Sequence, residues 1–210
     1  MGERPAQLRE QAAAMVRHVG SEVLHAPAQR AAVRAALGHT PGEPRTFGAY
    51  REIGAFLPEK PRFAEERAFL AVAAMMCAQP ASNRQQDITA ARGSDAEPGE
   101  DDGEADTEAA ASLGASCATA VRDKRIAEKT VESRLHLLCR VDADGAHRQL
   151  PRLVHHLRGV GVPIDWAALI DDLARWDHSR QRIAARWMRD FYRDKNQTRK
   201  PDENTPEDPS

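Results

Sequence analysis

Residues 165–193 read DWAALIDDLARWDHSRQRIAARWMRDFYR, and this stretch decides the fold of the chain. Its apolar residues recur every three or four positions, which is the period of an α-helix and not of a strand. A first set comprises Trp166, Leu169, Ile170, Leu173 and Trp176, and a second comprises Ile183, Trp187 and Phe191. The spacing predicts two amphipathic helices that pack as a hairpin and bury all three tryptophans of the chain.

The same period recurs over most of residues 6–80 and 112–194, and the chain is rich in alanine, which favours helices. Between these two regions lies SDAEPGEDDGEADTE, residues 94–108, which contains eight acidic residues and no basic one. Such a segment buries too little apolar surface to offset its chain entropy. We therefore predict an all-α fold with no sheet, in which two small helical bundles are joined by a disordered acidic loop. The predicted boundaries are an N-terminal bundle over 1–81, the acidic linker over 82–111, a C-terminal bundle over 112–195 and a disordered tail over 196–210.

The distribution of charge differs strongly between these parts. The formal net charge of the chain is -2. Residues 112–195 hold sixteen basic against eleven acidic residues, whereas residues 82–111 hold two against nine. The near-neutral total thus conceals a predicted basic surface on the helical parts, which is a footprint for polyanions.

Motifs of catalysis are absent from the sequence. It contains no GxGxxG, GxxxxGK[ST], GxSxG or HExxH pattern. Neighbouring residues on a helix point about 100° apart, so His155 and His156 do not readily share a metal ion. Asp172 is expected to pair with Arg175 or Arg186 rather than to act in catalysis. We therefore expect no enzymatic activity, no cofactor and no metal.

The cysteines and the termini indicate a compartment. Cys77, Cys117 and Cys139 are isolated and odd in number, so no disulfide framework is predicted. No run of about 18 apolar residues indicates a membrane span, and the first residues contain no signal-peptide pattern. These features predict a cytoplasmic protein without a membrane anchor.

Three stretches of the chain carry a resemblance to a known family. The C-terminal signature comprises Asp165, Trp166, Leu169, Asp172, Leu173, Trp176, Trp187, Asp190 and Phe191. Upstream stand ESRLHLLCRVD, residues 132–142, with QLPRLVHHL, residues 149–157, and near the N-terminus RAAVRAAL, residues 30–37. In this order they resemble the CasB family, the small subunit of the type I-E CRISPR surveillance complex Cascade.

The resemblance implies a non-enzymatic, all-α subunit made of two helical bundles. Two copies are implied to lie head to tail along the RNA-guided complex and to contact the subunits CasA, CasC and CasE. Their implied role is to stabilise the R-loop on crRNA-guided target DNA, chiefly through the displaced strand. Guide pairing reads the sequence in such complexes, so the protein needs contacts to the nucleic-acid backbone only.

Nine arginines are the candidate nucleic-acid-binding residues. The resemblance implies Arg34, Arg62, Arg134, Arg140, Arg180 and Arg182, and local positive charge adds Arg30, Arg122 and Arg125. The alternative interpretation is a helical scaffold subunit whose arginines serve protein contacts only and which never touches nucleic acid. Salt-dependent binding of nucleic acid by the isolated protein separates the two.

Overall fold

A computed structural model describes residues 3–93, 112–123 and 125–196, and these contain helices and no strand, which confirms the predicted all-α fold. The first five helices are α1 (Glu3–His18), α2 (Pro27–Arg34), α3 (Phe47–Ile53), α4 (Phe63–Ala78) and α5 (Ala81–Gly93). The second five are α6 (Leu113–Arg122), α7 (Glu128–Arg140), α8 (Ala143–Gly159), α9 (Trp166–Ala174) and α10 (Trp176–Asn196). A π-helical turn, Val19–Val23, extends α1, and short 3₁₀ turns at Pro44–Thr46 and Gly54–Phe56 flank α3.

The two helical regions share one core, and α4 lies at its centre. Helix α4 is apolar around most of its circumference and is buried from Ala68 to Cys77 apart from the half-buried residue 71. It packs against α2 and α3 of its own region and against α8 and α9 of the C-terminal region. Helix α9 also packs on α1. The C-terminal hairpin predicted from the tryptophan pattern therefore anchors the N-terminal helices as well.

Helices α6 and α10 form the most extensive helix–helix contact of the described C-terminal region. A Cβ atom at Gly114 of α6 would overlap the backbone carbonyl of Trp187 in α10, so only glycine permits this approach. Trp176 and Trp187 pack with their ring centroids 5.0 Å apart. Trp166, Trp176 and Trp187 are all buried, as the periodicity predicted.

The starts of α7, α8 and α9 are capped in different ways. Helix α7 begins at Glu128 after Ala127, whose side chain makes no capping hydrogen bond. Helix α8 begins at Ala143, where Asp142 accepts a hydrogen bond of 2.7 Å from the backbone of Gly145. Pro151 lies in the interior of α8, although a proline is ordinarily tolerated only in the first turn of a helix. Asp165 caps α9 and accepts from the backbone nitrogen of Ala168 at 2.9 Å.

Residues 82–93, which the sequence assigns to the acidic linker, belong to α5 in the structure. Asn83 and Ile88 are buried, and α5 packs on the π-helical turn after α1. Residues 94–111, which include the eight acidic residues, and residues 197–210 of the predicted tail lie outside the described residues. Within the part that is described, no helix is long and apolar enough to cross a membrane.

Candidate nucleic-acid interface

Two clefts, one on either side of α8, are lined by arginines. The α7–α8 cleft has a volume of about 410 Å³ and is lined by Arg134, Leu137, Leu138, Arg148, Gln149, Arg152 and Leu153. The α4–α8 cleft has a volume of about 530 Å³ and is lined by Leu37, Met75, Ala78, Gln79, Arg134, Pro151, Arg152, Val154, His155 and His156. Arg134 and Arg152 line both clefts, and no described carboxylate lines either. Uncompensated positive charge in a concave surface focuses the field and attracts polyanions.

Arg134 is held in place between the two clefts by a histidine. Its Nη1 lies 3.0 Å from Nδ1 of His156. Since a guanidinium only donates hydrogen bonds, that nitrogen must be the acceptor, and the imidazole is therefore the neutral form with its proton on Nε2. Burial lowers the pKa of His156 below its usual value, and the charges of Arg134 and His155 lower it further. The geometry and the direction of the pKa shift thus both indicate an uncharged imidazole that orients the charged guanidinium of Arg134.

Arg30 and Arg34 lie near the same end of α4 as the α4–α8 cleft. Arg34 is exposed in the last turn of α2, three residues before Leu37, which lines the cleft. The charges of both arginines and of Arg84 act on the thiol of Cys77, close to the C-terminal end of α4. Arg30 also donates to the carbonyl of Leu24 at 2.7 Å, which ties part of its guanidinium to the backbone.

Arg62 lies at the opposite end of α4, where it is exposed at the N-cap position. The 16 residues of α4 span about 24 Å at the usual rise per residue, which separates Arg62 from the α4–α8 cleft, and Arg62 does not line the α7–α8 cleft. Arg122 ends α6 and Arg125 lies in the connection to α7, and both pair with Asp123. Arg125 also donates to the carbonyl of Val160 at 3.1 Å. These three candidates therefore do not belong to the clefts.

Arg140, Arg180 and Arg182 belong to a third region. The exposed Arg140 ends α7, and the next residue, Val141, accepts a hydrogen bond of 3.2 Å from the indole of Trp176 at the start of α10. Arg180 and Arg182 line a surface depression of about 560 Å³ formed by the first two turns of α10 and by Ala143. The structure thus distributes the nine sequence candidates over separate surfaces and brings only Arg30, Arg34 and Arg134 toward one region.

Sequence reasoning missed several residues that line the two clefts. These are Arg148, Arg152, His155 and His156, all on α8. They lie in or just before the segment QLPRLVHHL, and the helical period places Leu150, Leu153 and Leu157 on the buried face. The same period would have placed Arg148 and Arg152, four residues apart, on the exposed face. What it could not show is that α7 and α4 border that face.

Other chemistry is not favoured by the described residues. No group of three or more histidine, cysteine or carboxylate side chains within the described ranges has metal-binding geometry. Burial raises the pKa of Cys77 to about 12 and that of Cys139 to about 11, which disfavours the thiolate form that nucleophilic chemistry needs. Asp172 is buried and pairs with Arg186, one of the two partners predicted for it, and also accepts from the indole of Trp187 at 2.8 Å.

These observations define a class: a protein whose described residues form helices and two arginine-lined clefts beside α8 that no described carboxylate lines. Comparison with known proteins identifies the family. The sequence model of CRISPR-associated protein Cse2 matches residues 29–192, and the chain belongs to that family.

Individual relatives agree with this membership. CRISPR-associated protein Cse2 of Thermus thermophilus is 34% identical over 80 residues, which cover 38% of this chain and 46% of the relative. That alignment therefore spans a little under half of the curated relative's length. A chain of a solved CRISPR RNA-guided surveillance complex is 38% identical, with a TM-score of 0.74, and the match covers 91% of this chain and 96% of that one. The structure of M. ruber CasB, at 21% identity and a TM-score of 0.62 over 87% of this chain and 93% of that one, shares the fold. The membership predicted from the three sequence motifs is confirmed.

Proposed function

We propose that this chain is a non-catalytic subunit of an RNA-guided CRISPR interference complex, Cascade, and that it binds nucleic-acid backbone without sequence preference. The observation that carries the proposal is the placement of Arg134 and Arg152 between two clefts that no described carboxylate lines. The resemblance to a chain of a solved surveillance complex supports the assignment to such an assembly.

The proposed role is to stabilise the R-loop through its displaced DNA strand. R-loop formation exchanges one duplex for another of similar stability, so a few additional phosphate contacts shift the balance. Arginine suits this task because its planar guanidinium donates two parallel hydrogen bonds to a phosphate. The described cleft linings contain no tyrosine, tryptophan or phenylalanine and no recognition-helix motif, which favours backbone contacts over base readout.

The proposed partners are CasA, CasC, CasE and a second copy of this chain, together with crRNA-guided target DNA. Large apolar side chains exposed on the described surface suit protein contacts. Phe47, Phe63 and Leu137 each expose more than half of their area, at 59%, 58% and 53%. Phe47 and Phe63 start α3 and α4 and line neither cleft, so protein contacts at these two residues leave both clefts free for nucleic acid. Leu137 lines the α7–α8 cleft.

Salt dependence tests the proposal. Each phosphate contact contributes about 0.7 for a single strand to about 0.9 for a duplex to the slope of log affinity against log salt concentration. Replacing Arg134, Arg148 and Arg152 together by alanine should therefore flatten the slope by about 2 for a single strand. A matched control, Arg45→Ala with Arg51→Ala and Arg189→Ala, removes the same charge from exposed positions outside the clefts.

The same variants distinguish the proposal from a scaffold that contacts protein only. In a reconstituted complex, the cleft variant should assemble normally and form less stable R-loops, whereas the control variant should match the wild type. If wild-type protein shows no salt-dependent binding and the cleft variant supports R-loops like the wild type, the arginines do not contact nucleic acid.

A further inference from the structure

The α4–α8 cleft has an apolar floor that phosphate binding does not explain. Beneath the basic rim lie Leu37, Met75, Ala78, Pro151 and Val154. The cleft volume of about 530 Å³ falls within the range of about 300–1,000 Å³ that is usual for small-ligand sites. Phosphates remain at the hydrated rim of such a cleft, so an apolar floor needs an apolar occupant.

The rim and the floor are complementary to the two halves of a nucleotide. Arg134 and Arg152 carry the charge that suits phosphates at the opening. The ring of His156, neutral because its Nδ1 accepts from Arg134 at 3.0 Å, offers a flat face on which a base can stack. His155 adds a second imidazole to the lining.

The glutamine in the cleft lining is already engaged. The Gln79 amide accepts from Arg158 at 2.7 Å and donates to Asp87 at 2.5 Å. Its side chain is buried, and both ends of the amide serve the protein. The cleft consequently offers an inserted base apolar contact and stacking but little that distinguishes one Watson–Crick edge from another.

We propose that the α4–α8 cleft takes one unstacked nucleobase of a single strand, whose neighbouring phosphates are held by Arg134 and Arg152. This inference rests on the proposed binding of nucleic-acid backbone and adds the form of the ligand. A duplex keeps its bases paired inside and presents only its phosphates, so it leaves the apolar floor unfilled. The cleft therefore selects single strands over duplexes without reading their sequence.

Strands that differ only in their bases test this inference. The full-length protein is titrated with an oligothymidylate and with a strand of equal length that carries abasic tetrahydrofuran units. Both strands present the same phosphates, so backbone contacts are equal. Stacking and apolar burial of a single base should make the thymidylate bind about fivefold tighter, with the same salt slope.

A variant that fills the cleft provides the second arm. Ala78 is half-buried at the end of α4, and Ala78→Leu places a larger side chain in the cleft. It should abolish the preference for the base-bearing strand, measured as the ratio of its two affinities. Ala185→Leu, at an exposed position of α10, is the matched control and should keep the preference.

The outcomes separate the inference from the proposed function. Equal affinity of wild-type protein for the two strands, with a salt slope for each, overturns base insertion alone. Retention of the preference in Ala78→Leu, with unchanged thermal unfolding, also overturns it, because the base would then lie elsewhere. If neither strand binds, the proposed backbone binding fails and this inference fails with it.

Discussion

Arg158 and Asp87 form a buried ion pair that joins α8 to α5, with Nη2 of the arginine 2.8 Å from Oδ1 of the aspartate. The guanidinium is almost fully buried, at 1% exposure. It also donates to Oε1 of Gln79 at 2.7 Å, to the carbonyl of Asn83 at 2.8 Å and to that of Val162 at 3.0 Å. The four bonds satisfy most of the donors of the arginine. They link the end of α8 to α5, to Gln79 between α4 and α5, and to Val162.

The first prediction concerns the loss of this pair. Arg158→Met should lower the free energy of unfolding by about 3–5 kcal/mol, because it leaves the partly buried carboxylate of Asp87 without its charged partner and the buried amide oxygen of Gln79 without its donor. Urea unfolding followed by circular dichroism measures the change. Arg152→Met, at an exposed position of the same helix, should change stability little. A loss below about 1 kcal/mol for Arg158→Met would show that the network contributes little.

The second prediction separates α5 from the acidic stretch that follows it. Replacing residues 94–111 by an uncharged Gly/Ser linker should leave the melting temperature nearly unchanged, since that stretch is highly acidic and poor in apolar residues. Replacing residues 82–111 should lower it markedly, because Asn83, Asp87 and Ile88 are then lost from their buried contacts. Equal melting temperatures of the two replacements would contradict the structural role of α5.

The 94–111 replacement also tests an electrostatic role for these carboxylates. If the eight acidic residues compete with nucleic acid for the two clefts, their removal should strengthen binding at low salt and have less effect at high salt. Titrations of a labelled single strand at two salt concentrations measure the difference. Unchanged affinity at low salt would mean that the stretch does not screen the clefts.

Helical periodicity identified the all-α fold and the buried tryptophans, because both depend on apolar residues that recur along the chain. It did not identify α5, since residues 82–93 contain few apolar residues and the helix is fixed by polar contacts to Arg158. It also did not foresee Pro151 inside α8, where packing of Leu150 and Leu153 on the core outweighs one lost backbone hydrogen bond.

The candidate site was predictable only in part for a similar reason. The family motif indicated Arg134, which lines both clefts. Arg148 and Arg152 reach the clefts because α8 lies between α7 and α4, and such an arrangement is tertiary information. Arg158 lies near the end of α8, yet it is among the most deeply buried charges of the described residues.

The third prediction concerns Trp187 of α10. Trp187→Ala should lower the free energy of unfolding by about 3–5 kcal/mol, the usual cost of removing a large core aromatic. The indole is fully buried, stacks near Trp176 and donates to Asp172, which would lose one of its partners. Chemical denaturation gives the value, and Met188→Ala, at a half-buried neighbouring position, should cost less. A loss below about 1 kcal/mol would be incompatible with the packing of α10.

The fourth prediction is a loss of stability in mild acid that originates at His147 of α8. The pKa of His147 is lowered from 6.5 to about 4, chiefly by burial and secondly by the charge of Arg67 on α4, against the opposing effect of Asp144. The unfolded state therefore binds the proton more readily, so this contribution is fully present above pH 6.5 and is lost as the pH falls toward 4. The ring is only partly buried, so we expect a loss of about 1–2 kcal/mol between these limits.

Thermal unfolding at several pH values measures this loss. His147→Gln should show a flatter pH profile of stability, and the exposed His178→Gln should follow the wild type. If the His147→Gln profile is as steep as that of the wild type, other groups cause the acid sensitivity.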